Sequence, residues 1–186
     1  MKRYLAGAAT VGALVLASGT AEAQYIRQPG DHNHFEIEVH GAYSYWGNNG
    51  YGTGLGPGFR LGIPLIPAGP ISRINNSFAL TVGADLLYWS WSWRWAGAGG
   101  GWGNFWTLRS YVGPQWNFYL HEKFSLFAEA TFVPEFYLIN NCAGCNVVSL
   151  WFDVAVGGRW HWGGNAGFPA LTFRLGSSAT TVGVSF

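Results

Sequence analysis

Charge is the scarcest commodity in this chain. Only 10% of its 186 residues are Asp, Glu, Lys or Arg, against about 25% in an ordinary soluble domain. Such a surface is ill suited to water on every side. The near balance of signs also supplies no basic patch, so no nucleic-acid partner is expected. Long apolar runs are the second shortage. Hydrophobic residues make up 49% of the chain, yet none of its runs reaches the roughly 20 consecutive apolar residues of a spanning helix. Lipid forces every backbone polar group to be satisfied internally, so a membrane chain without such helices is left with a closed β-barrel. Cysteine is nearly missing, with two residues at 142 and 145, too few for a fold stapled by disulfides.

The apolar residues cluster only at the start. Lys2 and Arg3 form a positive head, Leu5 to Ala17 an apolar core, and Ala21-Glu22-Ala23 a small-x-small cleavage site. This is the layout of a signal peptide spanning residues 1–23 and removed on export. No cysteine adjoins the cleavage site to carry a lipid anchor. Taking Lys2 and Arg3 from ten basic residues, and Glu22 from nine acidic ones, leaves eight of each. A polar lead-in over 24–33 follows, and 34–186 is expected to form one domain.

Elsewhere the apolar residues alternate with period two, the signature of strands with two unlike faces. Strand one is expected from His34 to Trp46, with Phe35, Ile37, Val39, Tyr43 and Tyr45 on one face. Strand two carries Phe59, Leu61, Ile63 and Leu65, before a Pro-rich turn from Pro64 to Asn76. Strand three starts near Ser77, and its pattern slips around Leu86 to Trp89, which suggests a β-bulge. A glycine-rich loop, Gly97 to Asn104, leads to strand four, Phe105 to Leu120. His121-Glu122 turns the chain into strand five, and a loop is expected from Pro134 to Asn146. Strand six runs from Leu150 to Trp162, strand seven from Leu171 to Leu175, and the last strand closes the chain. The sum is an all-β, eight-stranded antiparallel up-and-down barrel.

Which face holds the charges decides which way round the barrel is. Glu36, Glu38, Arg60, Asp85, Arg109, Glu129, Asp153, Arg159 and Arg174 all lie opposite the apolar face of their strands. A charge facing lipid at the midplane costs about 2–4 kcal/mol for Arg or Lys. The mixed face is therefore the interior, and the apolar face the outside of a transmembrane barrel. Eight strands leave an interior just wide enough to be filled by side chains. These residues are expected to form a paired charge network, with inward Gly62, Gly83, Gly113 and Gly157 making room for Tyr111, Phe127 and Trp151.

The chain ends Val182-Gly183-Val184-Ser185-Phe186, with Val182, Val184 and the terminal Phe186 on one face. This resembles the C-terminal assembly signature of Gram-negative outer-membrane barrels. With the signal peptide, the alternating strands and the aromatic strand ends, the mature chain resembles the small outer-membrane barrels of the OmpA/OmpX type, without a periplasmic domain. The resemblance implies a bacterial outer-membrane location, a periplasmic position for both termini, a monomer, lipid and lipopolysaccharide as neighbours, and the barrel-assembly machinery as partner during biogenesis. It implies a structural or surface-interaction role carried by external loops. The alternatives are a narrow porin-like channel for small solutes and a lipid A-modifying enzyme.

Three constellations invite chemistry. Cys142-Ala143-Gly144-Cys145 lacks the strand–helix setting of a redox motif and reads as a loop disulfide in an exported protein. His34, Glu36, Glu38 and His40, preceded by Asp31-His32, share one strand face. Same-face neighbours stand about 7 Å apart, too far for all to bind one ion, so charge pairing is favoured and neither metal nor cofactor is expected. Ser149, Asp153 and His161 spread along strand six, whereas a nucleophile and its base need contact at about 3 Å. No catalytic residue is assigned.

Overall fold

The computed structural model describes residues 26–27, 30–45, 53–95, 98–138, 148–162, 166 and 169–186, with backbone alone over 90–95 and 98–103. The expected signal peptide and both cysteines lie outside the described residues. Eight strands follow one another: β1 (Glu36–Ser44), β2 (Thr53–Ile66), β3 (Asn76–Trp95), β4 (Ala98–His121), β5 (Phe124–Leu138), β6 (Val148–His161), β7 (Ala170–Gly176) and β8 (Ala179–Ser185). Each pairs antiparallel with its neighbours in sequence, and β1 pairs with β8, closing an up-and-down barrel. Two backbone bonds seal the seam beyond the last bridge, Ile37 N to Phe186 O at 2.9 Å and Phe186 N to Ile37 O at 2.7 Å. Around the closed part of the barrel no sheet edge is left open among the described residues, which removes the template for edge-to-edge aggregation there.

Alternation holds around the whole circumference, and it is inverted relative to a water-soluble barrel. The residues turned outward include Phe152 at 74% exposure, Leu150 at 63% and Val154 at 64%. Glu38, Thr81, Thr107, Ser125, Thr172 and Ser185 are turned inward and fully buried. Val182 and Phe186 of the terminal strand are exposed on the apolar outside, and Val184 beside them is half-buried.

Several limits differ from the expectation for physical reasons. The slip around Leu86 to Trp89 is not a bulge: the β3–β4 register is unbroken from Asn76↔Phe118 to Trp93↔Gly101 and shifts only between Trp93 and Trp95. Leu87 and Trp89 are instead apolar residues turned inward, and with Ala42 and Phe105 they form a small apolar layer inside the barrel. Most of the expected Gly97–Asn104 loop is strand, because β3 and β4 continue as a two-stranded ribbon. That ribbon rises beyond the pairings Thr53↔Ser90 with β2 and Trp106↔Leu138 with β5. Pro134 does not end β5, which runs on to Leu138. Pro114 and Pro134 each lack a donor, and the β4–β5 ladder steps from Arg109↔Glu135 to Val112↔Phe132 and on to Gln115↔Glu129 around them. Strand β2 begins at Thr53, well before Phe59.

The β2–β3, β4–β5 and β6–β7 connections, the start of β1 and Phe186 share one end of the barrel, called here the turn end. The lead-in folds back over it. Asn75 N donates to Ile26 O at 2.6 Å, and His32 N to Pro67 O at 3.3 Å. The His32 ring stacks on Tyr119, with centroids 3.5 Å apart.

Candidate functional site in the barrel interior

Residues of like parity on neighbouring strands converge inside the barrel, so the interior is where this sequence concentrates its chemistry. Six acidic and basic partners form one chain through the middle of the barrel with His40. The His40 ring sits between two carboxylates, with Nδ1 3.0 Å from Glu38 and Nε2 2.9 Å from Asp85. Glu38 meets Arg60 at 3.4 Å, and Arg60 lies 3.9 Å from Glu129. Arg174 then bridges Glu129 and Asp153. Asp153 also accepts from Ser177 Oγ and, at 3.1 Å, from both N and Oγ of Ser178. The order Asp85–His40–Glu38–Arg60–Glu129–Arg174–Asp153 alternates acid and base at every step. Such alternation is what makes buried charge tolerable, since removing charges from water costs several kcal/mol per ion unless partners are close.

A second cluster lies nearer the turn end. Arg159 Nε donates to Glu36 at 2.7 Å and Nη1 to Asn117 Oδ1 at 2.9 Å, while its guanidinium sits 4.4 Å from the Phe127 ring centre. Asn117 accepts from Gln115 at 2.6 Å and donates to Ser77 at 3.1 Å. Ser77 meets the Tyr119 hydroxyl at 3.0 Å, so polar contacts run without a break from Arg159 to the ring on which His32 stacks.

Arg109 stands apart from both clusters. It is buried, donates from Nη2 to Ser44 Oγ at 2.7 Å and lies 5.0 Å from the Trp151 ring centre. No ion pair joins it to a carboxylate among the described residues. Glu135, its register partner across β4–β5, is equally buried, with Oε1 unpartnered.

Large inward rings are seated against glycine. The register pairs Gly54↔Trp89, Gly83↔Tyr111 and Gly157↔Phe127 each set an aromatic ring where a Cβ on the glycine would collide with it. The Tyr111 hydroxyl donates to Phe59 O at 3.0 Å and Trp89 Nε1 to Thr107 at 2.8 Å, so both rings meet their polar needs inside. Charges, amides and rings together fill the lumen.

Of the residues singled out in sequence, Glu36, Glu38, Arg60, Asp85, Glu129, Asp153, Arg159 and Arg174 sit in ion pairs, and Arg109 does not. Sequence reasoning placed His40 among groups expected to pair but did not place it between Glu38 and Asp85, and it missed Glu135. Both have the parity of their charged neighbours. Following the alternation through Pro134 finds Glu135. The Ser149, Asp153 and His161 set is not brought together. His161 Nε2 lies 2.8 Å from Ser125 Oγ, with both side chains sealed inside the wall, and Asp153 is committed to Arg174, Ser177 and Ser178. Among the described residues no group of His, Cys, Asp and Glu is arranged to hold a metal ion.

At the turn end, His32 Nε2 donates to Asn75 Oδ1 at 2.7 Å, and Gly30 N donates to the same oxygen at 3.2 Å. Burial pushes the His32 ring below the ordinary histidine range, opposed by its bond to Asn75. No protein-family model matches the chain, and no curated protein matches it either.

Proposed function

We propose that this chain is an outer-membrane β-barrel protein of the OmpA/OmpX type, with a filled interior and a structural or surface-interaction role rather than an enzymatic one. The observation that carries this reading is the inversion of the barrel. An apolar exterior around a lumen of alternating ion pairs suits lipid outside, where each exposed apolar side chain would otherwise cost about 25 cal/mol per Å² of contact with water. The ion-pair chain, the seated rings and the apolar layer of Ala42, Leu87 and Trp89 support a plug rather than a porin-like channel. The burial of Ser125 and His161 favours a packing role for that pair over lipid A chemistry. The outer surface falls to the end opposite the turns, where the β3–β4 ribbon stands highest. There the backbone register sets Trp91 against Gly103 and Trp93 against Gly101, and a ribbon of this composition suits contact with sugars such as those of lipopolysaccharide.

The test is an outer-membrane fraction from cells making the full chain, run on a gel with and without boiling, beside a variant lacking Phe186. The expected outcome is a heat-dependent shift in the wild type and loss of assembled protein in the variant, because Phe186 supplies both backbone bonds to Ile37. A wild type that fractionates as soluble, or migrates identically either way, refutes the membrane reading.

A further inference from the structure

Arg109 lines a small cavity inside the barrel, together with Arg60, Arg174, Asp85, Asp153 and Thr131. Its free volume, about 10 Å³, matches one body the size of a water molecule. The side chains around it are unequal in what they still need. Both aspartates are satisfied, Asp85 by His40 and Tyr111, and Asp153 by Arg174 and two serines. Left over are donors: Nε of Arg60, Nε of Arg109 and the Thr131 hydroxyl, each buried and without a partner. Arg60 and Arg174 have their carboxylates in the ion-pair chain, and Arg109 is the guanidinium without an ion pair among the described residues. A buried cation left alone costs several kcal/mol, so the surplus calls for an acceptor with negative charge. Phosphate and carboxylate ligands are too large for the space, and a single monatomic anion is the largest charged acceptor it could take.

We propose that this cavity is a binding site for a single halide ion, chloride in the natural setting, held by Arg109 with the Thr131 hydroxyl and Arg60 in support. Ser178 of the short β7–β8 connection and Trp151, itself only half-buried, also line the cavity. The ion takes the place of the carboxylate that Arg109 lacks and joins it to the alternating chain.

The test compares the full chain purified in detergent in sodium bromide and in sodium gluconate at equal ionic strength, reading the midpoint of the boiling-dependent gel shift. Gluconate is too large to enter. The midpoint in bromide is expected to be higher, by roughly 3–6 °C at ten times Kd. Arg109→Met, which removes the unpaired charge at similar volume, is expected to have one midpoint in both salts. Should that variant not fold, Thr131→Val removes a single hydroxyl and is expected to weaken the bromide effect. Glu135→Gln is expected to keep it. Anomalous diffraction from crystals grown in bromide is expected to give a peak against the Arg109 guanidinium. Equal wild-type midpoints, a bromide effect surviving in Arg109→Met or undiminished in Thr131→Val, or the lack of that peak overturns the site. A dependence that first arises in Glu135→Gln also overturns it, by assigning Arg109 to Glu135 directly.

Discussion

Arg174 is the residue on which the interior chain turns, because it alone spans Glu129 and Asp153. Removing one member of a buried pair leaves the other charge desolvated, at about 3–5 kcal/mol, whereas replacing all partners by neutral groups of similar shape is often close to neutral. Arg174→Met is therefore expected to lower stability by about 3–5 kcal/mol, measured by urea unfolding of barrels folded in lipid vesicles. Combining it with Glu129→Gln and Asp153→Asn is expected to restore most of the loss. A single variant within 1 kcal/mol of wild type, an order set by surface pairs, would show that the chain is decorative. At this scale the sequence was legible in part. Parity alone put the charged side chains inside, since one step along a strand reverses the face. Their partners were not legible. Arg174 of β7 reaches past β6 to Glu129 of β5, and Arg159 of β6 reaches Glu36 of β1. Such contacts depend on the stagger of closed strands, which no local pattern encodes.

Among the elements, the lead-in carries a packing contact that depends on the charge of a histidine. His32 packs on Tyr119 and bonds Asn75 as a neutral ring, and its proton affinity is depressed by burial. For a base whose folded value lies below its unfolded one, the stabilisation is full above the unfolded value, about 6.5 for histidine. It is lost as pH falls through the lower folded value. Hydrogen exchange of amides 30–35 is accordingly expected to quicken as pH drops below about 6.5, after correction for intrinsic rates. His32→Gln is expected to flatten that pH response; an unchanged response in that variant would show that the effect does not arise at His32. None of this packing was visible in the sequence, because backbone bonds to Pro67 and Ile26 carry it. The strands were more legible than their limits. Glycine read as loop at 97–104 becomes ribbon from Ala98 on, and Pro134 read as a stop is absorbed by skipped bridges at the β4–β5 seam. In both places pairing with a neighbour overrides a local preference for turn.

For the whole molecule, the question is whether closure around eight strands leaves a path for ions. A diameter set by strand number gives little spare width, and three kinds of filling occupy it in series. The Ser77–Asn117–Arg159 cluster lies toward the turns, and the chain from Asp85 to Asp153 crosses the middle. Leu87 and Trp89 lie beyond it. An ion crossing the barrel has to part salt bridges that hold one another in place, with no water-filled detour where the Gly83 and Gly157 gaps are taken by Tyr111 and Phe127. The full chain in planar bilayers is thus expected to show rare, brief and very small openings at neutral pH. Replacing Arg174 and Glu129 together by serine is expected to raise their frequency, since it removes the middle link and two long side chains and leaves Asp153 with its serine partners alone. Steady conductance from the wild type would mean that the interior chain is a lining rather than a plug. An equally silent double variant would place the barrier in the Leu87–Trp89 layer, where Trp89→Ala is then the substitution that opens the barrel.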